Sequence, residues 1–552
     1  RMPPSLMQVH WKMEKGMRVL LVLFGALLVA PASAGARDQS PEALAPTHGY
    51  AYVSFSKGGA VNLAVTPVDG RRQILISDRA PAAPVAGAQA FATWLPAGHY
   101  RVSGFNGMPW SDGPLFEVEA GRITHLGDHV AVNVGGYEMV LVPMQTEDTR
   151  AAIDAATESI STHLRDTTPI QLDMTQVSPA LKMVQPATDL GLIADLLLAY
   201  DRKRNKPSTL ARLKSAKDAG QFLDIAREVV PPTQDEPART ELGALYFPAD
   251  FGQLRRRDPN GEWGNVGMDT LRSVLSAEYD NGRLLAGSDD GRIRSSVDGG
   301  LTWEEVKAFS RFESVIDIDH AAGKFVVITT ERFDDPDAPR SGGMLAAPFG
   351  TPSLRLRVYV GSDSSLSDLA VSREFTMTPR DQIGWFGARG QHVNGQYFVA
   401  VAPALHRLDL SSGRWADVTP PDRAKVGGHR VDPDTGVVTT LWSQGAFSKV
   451  YVSKDHGESW SRIGRPPYVI NDVQMDSPSE GWASRWNMNA FSGEWEMYRF
   501  APARDDWEKI GEAPFNCRPI RVAKDLPLTC VATDASLFGL RDGEWQVEFS
   551  AQ

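Results

Sequence analysis

Apolar residues fall into three regimes along this chain. Over residues 48–144 they alternate with polar ones in short runs, at 50–55, 61–65, 90–95 and 138–142, with Gly and Pro between the runs. A period of two with those punctuating residues predicts β-strands. From about residue 147 the spacing lengthens. Ile153, Ala156, Ile160 and Leu164 recur near the helical period, and residues 208–230 continue as helix. Pro231-Pro232 then ends it, because proline lacks an amide and restricts the residue before it. The stretch 190–200 (LGLIADLLLAY) is strongly apolar, but it is too short to span a bilayer and contains Asp195, so a buried helix is expected. From residue 240 the period of two returns and holds to the end.

Within that last region an eight-residue pattern recurs. Ser296, Asp298, Gly300, Thr302 and Trp303 have the spacing of Ser453, Asp455, Gly457, Ser459 and Trp460, and both sets follow β-rich runs. The residue types suit a tight hairpin. Ser and Asp side chains bond turn amides, and Gly adopts positive φ without a Cβ penalty. The Trp opens the outgoing strand and buries a large apolar area. All these roles are structural, so the Asp is not expected to be an acid or a ligand. Shortened copies surround Asp258, Asp363, Asp409, Asp505 and Asp542.

The pattern resembles the Asp-box, or BNR-repeat, family of β-propellers, which includes sialidases and sortilin-type receptors. That resemblance implies a propeller over residues 240–552. The tryptophans at 263, 303, 415, 460, 507 and 545 lie 40, 112, 45, 47 and 38 residues apart. A four-stranded blade takes about 40–50 residues. The long gap then holds two blades with an insertion at 334–352, which makes seven blades. Six blades, closed by a strand shared between the termini, is the alternative. The first blade, near 243–266, looks short of an inner strand. In the N-terminal region, Leu95-Pro96-Ala97-Gly98-His99-Tyr100-Arg101-Val102 and the run 116–127 are similar to prealbumin-like or carboxypeptidase-regulatory-like β-sandwiches. The expected fold is therefore mainly β: a small β-sandwich (48–145), a helical connecting segment (146–232) and the propeller.

The N-terminus reads as an export signal. Lys12, Lys15 and Arg18 precede a short apolar run, and Ala32-Ser33-Ala34 offers a cleavage site after Ala34. Residues 1–34 are then an upstream extension and signal peptide, 35–47 a flexible linker, and the mature protein is periplasmic or secreted. In such a compartment the chain's two cysteines, Cys517 and Cys530, are expected to form one disulfide.

Net charge is −11, which argues against nucleic acid as the partner. The one compact basic triplet, Arg255-Arg256-Arg257, is expected on a solvated strand or turn face. No G-x-S-x-G, H-E-x-x-H or P-loop motif occurs, and no cofactor or metal is expected. The resemblance to sialidases implies an arginine triad, a Tyr–Glu pair and a general-acid Asp. Their Arg-Ile-Pro signature is missing, and Arg292-Ile293-Arg294 is the nearest string.

Candidate binding residues lie on the expected inner strands. Arg380, Arg430 and Arg518 come from three blades and could clamp one anion. Asp317, Asp381 and Asp472 could supply an acid or base where burial raises a pKa. Alternatively, these groups pair with one another along the channel. Three functions are weighed: a binding or assembly module for a protein or glycan, a sialidase-like glycoside hydrolase, and a structural envelope protein. The first is preferred, and no catalytic residue is assigned.

Overall fold

The computed structural model describes residues 39–144, 160–169, 211–333, 353–377, 388–464, 472–486 and 495–549, short gaps within these spans aside. The expected helix at 190–200, the signal and linker up to residue 38, the insertion at 334–352 and most of 147–164 lie outside the described residues.

The chain is mainly β. Its first part forms two sheets. One is built on the strands His48–Ser56, Ala88–Pro96 and Ile123–Gly135, the other on Leu63–Pro67 and Gly98–Phe105. Both sheets feed one core: Val53, Phe55, Phe91 and Leu95 from the first meet Leu63, Val65, Val102 and Phe105 from the second. Strict alternation in these runs puts one face of each sheet into that core.

The helix expected over 208–230 is interrupted. Residues 215–217 form a turn, and a regular helix runs only over Ala219–Val229. Phe222, Ala226 and Val230 pack it between Val130 and Val142 of the N-terminal sheets and Ala249 and Phe251 further on.

From residue 238 onward the described residues form seven antiparallel four-stranded sheets in strict chain order, each a simple up-and-down meander. They span 238–267, 274–308, 313–377, 388–418, 426–463, 472–513 and 517–549, and we number them one to seven. Sheet one begins two residues before the expected boundary at 240, and its first strand, Ala238–Arg239, has only two residues. Three first-to-second-strand hairpins turn on two residues of positive φ: Asn281-Gly282, Ala322-Gly323 and Asn394-Gly395. That is the type I′ geometry that matches strand twist.

First strands are innermost, as the hydrogen bonds between successive ones show. Ser276 Oγ donates to the Val315 carbonyl at 3.3 Å, and the Val431 amide to Gln391 Oε1 at 2.9 Å. The sheets close on themselves. Trp263 and Arg257 of sheet one reach Glu548 of sheet seven, at 3.3 Å from the indole Nε1 and at 3.0 and 3.1 Å from two guanidinium nitrogens. Leu526, from the second-strand side of sheet seven, packs beside Trp263 and Phe247. A closed ring of meander sheets is a β-propeller. Sheets one and seven each take four strands from contiguous chain, so the described ring closes through side chains rather than a shared strand.

The arginine triplet is not solvated. Arg255 is 1% exposed; it donates to the Val230 carbonyl (2.8 Å) and the Glu228 carbonyl (2.7 Å) and lies 4.6 Å from the Phe549 ring centre. Helix C-terminal carbonyls lack partners within the helix, and a guanidinium supplies them. Arg257 is buried at the ring seam, and only Arg256 keeps substantial exposure, paired with Asp258. Alternation along a strand explains why three adjacent arginines have different fates.

Candidate functional site

Each of the seven sheets carries an aspartate at its third-to-fourth-strand turn, Asp258, Asp298, Asp363, Asp409, Asp455, Asp505 and Asp542, and the turn of sheet three adds Asp368. In the two full motifs the bonding is the same. Gly300 and Gly457 amides donate to Ser296 and Ser453 hydroxyls at 2.8 and 2.7 Å. Thr302 and Ser459 amides donate to Asp298 and Asp455 carboxylates at 2.9 and 2.8 Å. Bonds from Thr302 and Ser296 hold Asp298 well below the usual carboxylate range, and those from Ser459 and Ser453 bring Asp455 down to about 2. Gly300 and Gly457 sit at φ +96° and +92°, and a Cβ there would lie 2.7 and 2.2 Å from Val266 and Val418 of the preceding sheet. The glycines are thus required twice over, by backbone angle and by close approach.

The indoles follow the same rule around the ring. Trp303, Trp415, Trp460 and Trp545 pack against apolar residues of the sheet before their own. Trp507 donates to the Gly464 carbonyl of sheet five, and Trp263 to Glu548 of sheet seven. Sheet three has no such tryptophan, which accounts for the long gap in the spacing.

Of the candidate binding residues, Arg380 and Asp381 lie outside the described residues. Asp317, Arg430, Asp472 and Arg518 each lie on the first strand of a sheet: three, five, six and seven. Asp317 accepts a hydrogen bond from Tyr397 of sheet four. Gly390 makes that contact possible, since a Cβ there would sit 1.8 Å from the tyrosine oxygen and 2.0 Å from the carboxylate. Two carboxylates that the sequence reading passed over lie beside it. Burial and the charges of Asp319, Asp317 and Asp280 push Glu278 well above the usual carboxylate range. Asp280 in turn holds His320 Nδ1 at 2.8 Å. On sheets five and six, Asp432 takes the Thr435 amide and hydroxyl at 2.8 and 2.7 Å.

A Tyr–Glu pair beside arginines is present, but between sheets two and three. The buried Glu313 accepts from Tyr359 (3.1 Å) and Thr329, and pairs with Arg357 (3.1 Å). Tyr359 packs on Phe309 of sheet two, at a ring separation of 4.8 Å. Burial and Glu313 push the tyrosine up to about 12, so it stays protonated and donates. Arg357 also holds Glu331 and Glu374, each at 3.0 Å. The alternation of Arg355, Arg357 and Tyr359 on one strand was a visible sign of a shared face; their partner Glu313 lies too far along the chain to be assigned by pattern.

The ring has two unlike ends. First-to-second and third-to-fourth turns lie at one end, where a Cβ built on Gly436 would lie 3.3 Å from His456 Nε2. Second-to-third turns and the links between sheets lie at the other, and the N-terminal sheets sit on that end over sheets one to three. Arg272 Nη1 donates to Ser56 Oγ at 3.1 Å. The Ala86 and Gly87 amides donate to the Arg311 and Asp289 carbonyls at 3.0 and 3.1 Å.

No family model matches the sequence, and no curated protein does. Among solved structures, the chain is similar to YCF48 bound to a D1 peptide, with 11% identity over 57% of this chain and 90% of that one, at a TM-score of 0.37. It is similar to a nidogen/laminin complex, with 10% identity over 49% and 92% and a TM-score of 0.30. The GH74 xyloglucanase from Xanthomonas campestris gives 16% identity over 55% and 50%, again at 0.30.

Proposed function

We propose that this chain is an exported, non-catalytic binding module: a seven-bladed Asp-box propeller that contacts a protein or glycan and carries an N-terminal β-sandwich. The observation that carries the reading is the mutual pairing of four interior carboxylates, beside which Glu278 takes the His320 amide. Asp317 is taken by Tyr397, Asp280 by His320, Asp432 by Thr435, and Glu313 by Tyr359, Thr329 and Arg357. Groups satisfied by one another brace a scaffold. A hydrolase instead needs an acid or nucleophile aimed at substrate with its pKa tuned to the task.

The second reading, a sialidase-like hydrolase, is favoured by one feature, the Tyr359–Glu313 pair. Its chemistry runs the other way. A nucleophilic tyrosine needs a lowered pKa, and this one is raised. The arginine beside it is already surrounded by three carboxylates, Glu313, Glu331 and Glu374. Export, with cleavage after Ala34, places the module in the periplasm or outside the cell, where Cys517 and Cys530 join the first two strands of sheet seven.

A fluorogenic sialoside assay at micromolar protein separates the two, with no turnover expected. Turnover that disappears in Tyr359→Phe would overturn the binding reading. Sequencing the N-terminus of the secreted protein tests export, with Gly35 the expected first residue.

A further inference from the structure

We propose that the turn-bearing end of sheets one and two is a docking surface for a protein segment that presents apolar side chains flanked by Lys or Arg. This rests on the binding-module reading and names its surface. Among the described residues, the three most exposed large apolar side chains are Leu242 (87%), Leu301 (78%) and Val297 (76%). All three lie on two adjoining turns. Leu242 is on the first-to-second-strand turn of sheet one, and Val297 and Leu301 flank Asp298 on the motif turn of sheet two. Tyr246, on the second strand that leaves the Leu242 turn, links the two by donating Oη to the Gly299 carbonyl at 3.5 Å.

The chain contains its own control for what the motif turn requires. The turn around Asp455 repeats the bonds between Ser and Gly and between Asp and the following hydroxyl residue, yet the positions matching Val297 and Leu301 are Lys454 and Glu458, both exposed, the latter held by Arg407 of sheet four at 2.6 Å. Nothing in the turn's geometry therefore calls for valine and leucine on sheet two. Exposed apolar side chains grouped on one surface, without a structural demand for them, mark an interaction site.

Charge selects the occupant. Glu241 precedes Leu242, Asp298 lies between the two apolar residues, and Glu262 ends the third-to-fourth-strand turn of sheet one, where a Cβ built on Gly243 would lie 3.9 Å from Pro259. Of the cations beside these turns, Arg256 on the third strand of sheet one is held by Asp258 at 2.6 Å, and Arg239 at the end of the first strand is also engaged. An apolar patch with an acidic rim, on a chain of net charge −11, favours an apolar segment with basic flanks and disfavours an acidic one. The patch faces away from the N-terminal sheets, which sit on the opposite end of the ring over sheets one to three.

The test uses the full-length chain against an array of 12-residue peptides in which one Leu/Phe core is flanked by Lys and Arg, by Ser, or by Glu. Retained peptides are then measured by fluorescence anisotropy. Basic-flanked peptides are expected to bind at least ten-fold tighter than Glu-flanked ones. Val297→Lys with Leu301→Glu should lose at least ten-fold while keeping the wild-type melting midpoint, because the second motif turn already carries those residues. Leu242→Ser, on the other turn, should lose affinity independently. Lys454→Val with Glu458→Leu should leave it unchanged. Equal binding by the double variant would overturn this surface and leave the binding reading standing. Retention of no peptide would overturn the surface and the protein arm of that reading together. A wild-type dimer in sedimentation that the double variant abolishes would identify a second copy as the occupant and overturn the basic segment.

Discussion

Replacing Glu548 by alanine should open the ring at one seam. The carboxylate receives Arg257 Nε at 3.0 Å and Nη2 at 3.1 Å, Trp263 Nε1 at 3.3 Å and Arg541 Nη2 at 3.2 Å. The Arg257 and Glu548 side chains are 7% and 6% exposed, so the pair is desolvated. Removing one partner of a buried pair strands the other charge, at a cost of about 3–5 kcal/mol. Arg541, half exposed, adds little. Removing both partners leaves no stranded charge, so Arg257→Ala with Glu548→Ala should be less destabilised than Glu548→Ala alone, by about 2 kcal/mol. The assay is a double-mutant cycle in urea, read together with hydrogen exchange of the fourth strands of sheets one and seven. Protection there should fall before that of sheets three and four. Additive single-mutant effects, or uniform loss of protection around the ring, would refute the idea that this pair holds the closure. The acid dependence follows from the same pair. Burial pushes the Glu548 carboxyl up, but hydrogen bonds and charge from Arg257, with help from Arg541 and Trp263, outweigh it and hold the group below its ordinary value. A depressed carboxyl stabilises the fold above its unfolded pKa of about 4.3 and loses that contribution as pH falls through the folded value. Glu548→Gln should therefore flatten the stability profile below about pH 4 and leave its shape near pH 7 unchanged.

Three further outcomes are expected. Gly457→Ala forces a Cβ at φ +92° to within 2.2 Å of Val418 and should cost about 2–4 kcal/mol in chemical unfolding; a loss under 1 kcal/mol would count against the close packing of that turn. A fragment beginning at residue 240 lacks both the helix Ala219–Val229 and the first strand of sheet one, which leaves Arg255 without its two carbonyl acceptors. It should aggregate, while one beginning at residue 211 stays soluble; equal solubility by size-exclusion chromatography would show that the helix is dispensable to the ring. Thiol titration of the denatured, unreduced protein should find no free thiol, and two titratable thiols would refute the Cys517–Cys530 pairing.

What the sequence made legible is what neighbouring residues decide among themselves. Ser296 and Asp298 bond amides no more than four residues away, so their spacing carried the turn, and the shortened copies around Asp258, Asp363, Asp409, Asp505 and Asp542 marked the same turn in five more sheets. The tryptophans were legible for a related reason: each lies within a residue of the start of a fourth strand, so their spacing follows the sheets. Sheet three breaks the count because no indole stands at that place. The fates of Arg255 and Arg257 were not legible. Both depend on residues that the fold brings from elsewhere, the helix C-terminus for one and Glu548, 291 residues away, for the other. A run of three charges reads as solvated when only local context is weighed; on a strand, adjacent members point to opposite faces, and here the face shared by Arg255 and Arg257 is buried against other elements while Arg256 keeps substantial exposure. The candidate site divides along the same line. That Asp317, Arg430, Asp472 and Arg518 fall on first strands followed from counting strands between turns. That Asp317 is engaged by Tyr397 did not, because the contact needs the missing side chain of Gly390, and a glycine inside a strand signals close approach without naming what approaches. The same logic separates the two full motif turns. Their shared hydrogen bonds form the turn with either set of residues; Glu458 is engaged by Arg407 of sheet four, whereas the exposed Val297 and Leu301 are left for function to explain.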